Sequence, residues 1–155
     1  MDQVEISPIS ALDEGMLAHL LEESLSQGFR LVQRLIQEYN DRLNCFDQPG
    51  EVLFLASAQS KAIGVGGLNQ DPYFCDPHIG RLRHLYIATA WRRQGIGRQL
   101  VCQIIQAARP HHRLLTLRTD TAVADRFYRS LGFQTEPNWV HTTHHLLLSD
   151  PAYYP

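Results

Sequence analysis

Between Leu85 and Val101 the chain reads LYIATAWRRQGIGRQLV, and its centre holds the residues best suited to chemistry: Arg92, Arg93, Gln94, Gly95, Ile96 and Gly97. Two arginines supply planar donor forks that match phosphate oxygens. Glycines at 95 and 97 remove side chains that would hold an anion off the backbone. A helix starting here leaves its first N–H groups without internal partners, and with the helix dipole they form an anion site. The loop lacks the Lys-Ser/Thr ending of a nucleotide hydrolase and the third glycine of a dinucleotide fingerprint; Gly64-Val65-Gly66-Gly67 upstream fails the second test too.

The charge distribution agrees with an anionic ligand. The net charge of -2 conceals 12 acids against 4 bases in residues 1–76 and 4 acids against 10 bases in residues 77–155. From Pro77 to Thr119 there are eight arginines and no Asp or Glu. A local field of one sign attracts an anion whatever the total charge. The arginines fall in apparent strands and around a turn without interleaved aromatic residues, which favours a small polyphosphate over nucleic acid.

At 155 residues and 44% hydrophobic, the chain predicts one domain spanning 1–155 with one good core. No stretch approaches an apolar membrane span of about 18 residues, and MDQVEISPIS has neither the basic flank nor the apolar run of a signal peptide. Cys45, Cys75 and Cys102 are odd in number and lack metal-ligand spacing, which predicts reduced thiols in a cytoplasmic protein. Cys102, among apolar neighbours in a helix, is expected to be a core thiol.

The elements that must position the basic turn follow from periodicity. VEI near the start predicts a strand closed by Ser7-Pro8. Leu12, Met16, Leu17, Leu20, Leu21 and Leu25 form a helical stripe, with Ser10 as N-cap and Asp13 as its capping partner, ended by Gly28. A second helix directs Phe29, Val32, Leu35, Ile36 and Tyr39 inward. Strands at 52–58 and 62–69 predict a hairpin, and residues 71–78 a loop. The strand at 80–88 changes its alternation around His84–Leu85, compatible with a bulge. A helix from Gly97 to Arg109, stopped by Pro110, precedes a strand at 114–119 and a helix from Thr121 to Leu131 that ends at Gly132. FQTEP and WVHTTHHLLL complete a mixed α+β sheet with helices on both faces.

RRQGIG after LYI resembles the R/Q-x-x-G-x-G/A signature of the GNAT superfamily, the GCN5-related N-acetyltransferases. AVADRFYRSLGF resembles that family's second motif, A-x-x-F-Y-x-x-x-G-F, at Ala124, Phe127, Tyr128, Gly132 and Phe133. The resemblance covers nearly the whole chain. It implies the acyl-CoA N-acyltransferase fold, an α/β/α three-layer arrangement around a mixed, largely antiparallel sheet of six to seven strands. It implies acetyl-CoA as acyl donor, with the pyrophosphate on backbone amides from Gln94 to Arg98. Leu85, Tyr86 and Ile87 would pair with the pantetheine arm, and Arg92, Arg93, Thr121, Ala124 and Tyr128 would complete the cofactor site.

The reaction implied is direct attack of a primary amine on the thioester through a tetrahedral intermediate. Tyr128 is the expected acid, because a phenol with pKa near roughly 10 stays protonated and can donate to the departing CoA thiolate. It lies at the edge of its helix stripe, which predicts that it points past the core. A backbone N–H near Leu85–Tyr86 would hold the oxyanion. The glutamate of many relatives corresponds to Arg81 here, and the family's asparagine in the second motif to Thr121. His84 has a pKa suited to the base role, while Glu22 and Glu23 could face the acceptor groove. His141 and His145 on one strand face and His144 on the other make no metal motif.

The acidic N-terminal half, with Glu22, Asn69, Asp71 and Tyr73 near the acceptor, favours a cationic small molecule; a peptide or protein amine is an alternative. A non-catalytic acyl-CoA-binding sensor is a second reading. Neither nucleic acid nor membrane is an expected partner, and the chain is expected to act as monomer or homodimer.

Overall fold

A computed structural model describes residues 3–148, so the expected domain, 1–155, extends past the described residues at both ends. One seven-stranded sheet has the order β1-β2-β3-β4-β5-β7-β6. Its strands are β1 Val4–Ile9, β2 Val52–Ala58, β3 Lys61–Gln70, β4 Ile79–Ile87, β5 Leu114–Leu117, β6 Gln134–Thr135 and β7 His144–Leu147. Among the described residues, β4 and β5 are the parallel pair and the other neighbours are antiparallel.

Helices α1 (Ala18–Ser26) and α2 (Leu31–Asn40) cover one face, with Leu17, Leu20, Val32 and Leu35 packing on Leu53, Leu55, Val65 and Tyr86. Helices α3 (Ile96–Ala108) and α4 (Ala122–Ser130) cover the other. There Ile96, Leu100, Val101, Ile104 and Ala108 repeat at helical spacing and meet Leu82, Leu115, Leu117 and Tyr128. This gives the three layers expected.

The glycines of β3 are packing devices. A Cβ on Gly67 would stand 2.5 Å from Phe46 Cε1, and one on Gly64 would stand 2.8 Å from Ile87 Cδ1. Gly64-Val65-Gly66-Gly67 thus brings neighbouring side chains close to the sheet. The hairpin before it turns through Gln59 and Ser60, both at positive φ (52° and 61°), the backbone a two-residue hairpin demands.

Several local expectations change. β1 runs through Pro8 to Ile9, because an edge strand tolerates the missing N–H. Asp13, not Ser10, is the cap: it accepts the Gly15 N–H at 3.1 Å and opens a 3-10 turn, Glu14–Leu17, before α1. Met16, Leu25 and Phe29 are exposed instead of inward, and Phe29 precedes α2. β7 begins only at His144, so His141 lies in the preceding loop, at φ 53°, and shares no strand face with His145. Cys102 is exposed on the outer side of α3, because its helix buries Val101 and Ile104.

Candidate active site

The basic turn opens α3 as an uncapped helix. Gly95 occupies the N-cap position in the left-handed region (φ 83°), and no side chain caps the helix. The first intrahelical bond runs from Gln99 N–H to the Gly95 carbonyl at 3.0 Å, leaving the amides of Ile96, Gly97 and Arg98 without helical partners. No acid lies in the first turn. Arg92, Arg93, Gln94 and Arg98 are exposed around it. A Cβ on Gly95 would meet nothing, so this glycine is required by its φ alone. Free amides, a positive dipole end and nearby arginines fit a pyrophosphate.

Beside this cradle the sheet parts. The β4–β5 ladder joins Ile79–Arg81 to Leu114–Thr116 and goes no further. Beyond it, among the described residues, β4 keeps a strand partner on the β3 side alone, through Tyr86 and Ile87. The divergence coincides with a bulge. His84 stands at φ 59°, and the β3–β4 register shifts between Val65 and Gly67. The irregular alternation at His84–Leu85 thus marks a real distortion. A slot with unpaired strand backbone can take an amide-bearing chain as a further strand.

Side chains at the mouth tie α1 to this strand. Tyr86 donates to Glu23, which also accepts the Thr89 N–H at 3.1 Å. Arg92 donates to the Ile87 carbonyl at 2.9 Å and to Gln27 at 3.1 Å. Burial and the Glu23 carboxylate push the Tyr86 hydroxyl up to about 12, so it remains a donor. Glu23 is held down despite its burial by the bonds from Tyr86 and Thr89 and the charge of Arg92. It is thereby committed to a strut, while Glu22 beside it is exposed.

Tyr128 is deeper than its stripe-edge position predicts. It is the buried residue of α4, packed by Phe127, Phe133 and His144 at ring-centroid distances of 5.0, 5.5 and 6.1 Å. Burial pushes its phenol pKa up, and its hydroxyl makes no hydrogen bond among the described residues. The helix buries this face because Leu131 and Ala124 flank it in the same cluster. Thr121 caps α4, its hydroxyl oxygen accepting the Ala124 N–H at 3.1 Å. Phe127 reaches across to α3, within 3.5 Å of where a Gly97 Cβ would be.

The end of the slot where β4 and β5 meet carries Arg81 in place of the expected glutamate. Arg81 is buried, 3.4 Å from Asp71, and donates to the His141 carbonyl at 2.5 Å. Asp71 also accepts from Thr116 and from the Tyr73 N–H. The Tyr73 ring covers the guanidinium at 4.8 Å. Asp71 is therefore an internal counter-ion and not an acceptor contact. Asn69 is likewise buried, paired with Asn44 at 2.8 and 2.7 Å and with Glu51 at 3.0 Å. Of the four expected acceptor residues, only Glu22 and Tyr73 are exposed.

His84 turns from the slot toward α2. Its Nδ1 is 3.1 Å from the Leu31 carbonyl, and its buried Nε2 faces Glu38 at 3.8 Å without a hydrogen bond. Burial lowers its pKa, so the ring is neutral near pH 7, yet neither nitrogen is open to an amine. The geometry makes it a strut of the bulge and gives the base role no support. Sequence reasoning missed its partner Glu38, and also the Arg81–Asp71–Thr116 cluster. Neither has a local motif, because each joins residues far apart in the chain. Among the described residues no cluster of three or more His, Cys, Asp or Glu could hold a metal, and no helix is long and apolar enough to cross a membrane.

The Acetyltransferase (GNAT) family model matches residues 16–133, which include the basic turn and Tyr128. The fold is similar to that of a protein from Exiguobacterium sp. 255-15 assigned as an acetyltransferase, at 29% identity and TM-score 0.83, over 94% of this chain and 93% of that one. It is also similar to a Salmonella typhimurium protein with the same assignment, solved with its cofactor acetyl-CoA, at 17% identity and TM-score 0.69, over 96% of each chain. An acetyltransferase of the GNAT family from Streptococcus pneumoniae aligns at TM-score 0.71 and 18% identity, over 95% of this chain and 100% of that one. Comparison with curated proteins returns no match. An uncapped glycine turn, a parted pair of parallel strands and a family match spanning both motifs lead to one assignment: the chain belongs to the GNAT acetyltransferase family.

Proposed function

We propose that the protein is an N-acetyltransferase that moves an acetyl group from acetyl-CoA to the primary amine of a small molecule. The observation that carries this reading is the start of α3, where a left-handed glycine replaces a capping side chain and leaves the following amides free beside Arg92 and Arg93. These amides, Ile96 to Arg98, together with those of Gln94 and Gly95 before them, hold the pyrophosphate. The backbone at Leu85–Ile87, which has no strand partner on the β5 side among the described residues and whose Ile87 carbonyl accepts from Arg92, pairs with the pantetheine arm, and an N–H near Leu85–Tyr86 faces the developing oxyanion.

In the reaction the amine nitrogen forms a bond to the thioester carbon, the carbon–sulfur bond breaks, and the Tyr128 hydroxyl gives its proton to the sulfur. Burial keeps the Tyr128 phenol protonated, while making it a weaker acid, and its hydroxyl has no competing partner among the described residues. The acceptor loses one proton to solvent before it attacks and its N–H proton to solvent afterwards, since His84 is held by α2 and the position of the family glutamate is Arg81, and the Tyr128 phenolate regains its proton from solvent. The acidic N-terminal half favours a cationic acceptor.

The test is CoA release from acetyl-CoA across a panel of amines, with binding followed by calorimetry. Tyr128→Phe is expected to lower kcat by roughly 10²- to 10⁴-fold, the range of general acid catalysis. Tight acetyl-CoA binding without turnover on any amine would instead identify an acyl-CoA sensor. Absence of binding at millimolar acetyl-CoA would remove both readings.

A further inference from the structure

Behind Tyr128 lies a hydrogen-bonded chain that joins three elements. Asp125 precedes Tyr128 by three residues and so lies on the same side of α4. Its Oδ1 is 2.7 Å from Nε2 of the buried His144, on β7. The other ring nitrogen, Nδ1, is 2.8 Å from Thr143 Oγ1. That oxygen accepts the Thr119 N–H at 3.0 Å, where the chain leaves β5. One assignment satisfies every group with a neutral ring: the Thr143 hydroxyl donates to Nδ1, and Nε2–H donates to Asp125. The chain thus runs from the β5 exit through β7 into α4.

The Tyr128 hydroxyl has no hydrogen bond among the described residues, so none of them aims it by a polar contact of its own. Phe127, Phe133 and His144 enclose its ring, but apolar contact is non-directional and permits sliding. The Asp125–His144 bond is directional, buried on the histidine side, and sits one turn from the phenol. A directional bond between α4 and β7 restrains how the helix can turn and slide on the sheet. Asp125 has a second contact, with Arg129 at 3.5 Å, but that pair is on the helix surface and leaves the link to β7 unchanged.

We propose that Asp125 and His144 are positioning residues for acyl transfer, holding α4 against β7 so that the Tyr128 hydroxyl meets the departing thiolate. The inference rests on the acid role of Tyr128. No proton leaves the Asp125–His144 pair during the step; the bond broken is the Tyr128 O–H and the bond formed is S–H.

The experiment is a double-mutant cycle read by kcat with one turned-over amine, alongside calorimetry with acetyl-CoA. Asp125→Ala is expected to lower kcat roughly 10- to 100-fold through misplacement of the acid, with acetyl-CoA affinity unchanged. Asp125→Asn, which keeps an oxygen acceptor for Nε2–H, restores most of the rate. Tyr128→Phe costs less in the Asp125→Ala background than in wild type, the shortfall matching the loss that misplacement has already caused. Additive losses, or wild-type kcat in Asp125→Ala, overturn the positioning role and leave Tyr128 as the acid. Wild-type kcat in Tyr128→Phe removes the acid itself and the positioning role with it. If Asp125→Ala does not fold, His144→Phe keeps a ring against Tyr128 without the bond and reads the same coupling.

Discussion

The two ends of the slot are built on opposite terms. At the start of α3 the donors are backbone amides, the surrounding side chains are exposed, and Gly95 has empty space around it. Where β4 and β5 meet, the polar groups are side chains, buried and already paired: Arg81 with Asp71 and the His141 carbonyl, Asp71 with Thr116. The first end keeps donors in reserve for a ligand; the second spends them inside the protein. A substitution at the first should therefore alter binding more than stability, and at the second stability before anything else.

The largest expected effect is at the buried end. Asp71→Ala strands the Arg81 guanidinium in the interior and should cost about 3–5 kcal/mol in denaturant unfolding. The paired change of Arg81→Met with Asp71→Leu should recover much of it, since no lone charge remains. An unchanged midpoint in Asp71→Ala would mean that the two ends do not differ as described.

Gly97→Asp tests the open end and separates binding from stability. A Cβ there meets Phe127 at 3.5 Å, an ordinary contact, and a carboxylate in the first turn favours the helix by about 0.3–1 kcal/mol. The same carboxylate repels a pyrophosphate, so acetyl-CoA affinity should fall at least about tenfold, equivalent to roughly 1.4 kcal/mol. Melting and calorimetry on the same protein check both signs. A fall in both, or in neither, would blur the contrast.

Glu38→Gln gives the smallest effect and the one most sensitive to pH. His84 first, then the charge of Arg83, hold the Glu38 carboxyl down from 4.5 to about 2, against the opposing cost of burial. A depressed carboxylate contributes stability that is complete above pH 4.5 and lost as pH falls toward 2. Wild type should exceed Glu38→Gln by about 1 kcal/mol at pH 6, with the difference vanishing near pH 2. The lowered pKa of His84, caused by burial and opposed by Glu38, places its own destabilisation below pH 6.5, and this destabilisation is greater in Glu38→Gln, where the opposing carboxylate is gone. Urea midpoints across this range measure the two windows.

How much of this could be read from the chain follows the same division. The α3 cradle was legible because its parts are contiguous: two arginines, two glycines and a helical repeat within one stretch of sequence. The bulge was legible as a break in alternation at His84. The element order followed from period together with its glycine and proline stops, and the three layers from the resemblance. The commitments of Asp71, Asn69 and His84 were not legible, since each depends on a partner 10, 25 or 46 residues away, Arg81, Asn44 or Glu38. Residue type suggested a binding role for them; topology turned them inward. Tyr128 was found by its motif, but its depth depends on how α4 rolls onto Phe133 and His144, which no local pattern encodes.

One consequence concerns neighbours in a crowded solution and not the reaction. Among the described residues the sheet has two outer borders, β1 with Pro8 inside it and β6 with only two residues. A proline offers no N–H, and a two-residue strip offers almost no ladder to extend. The borders therefore make poor templates for an incoming extended chain. The parted strands at the centre can accept one while the periphery discourages polymerisation.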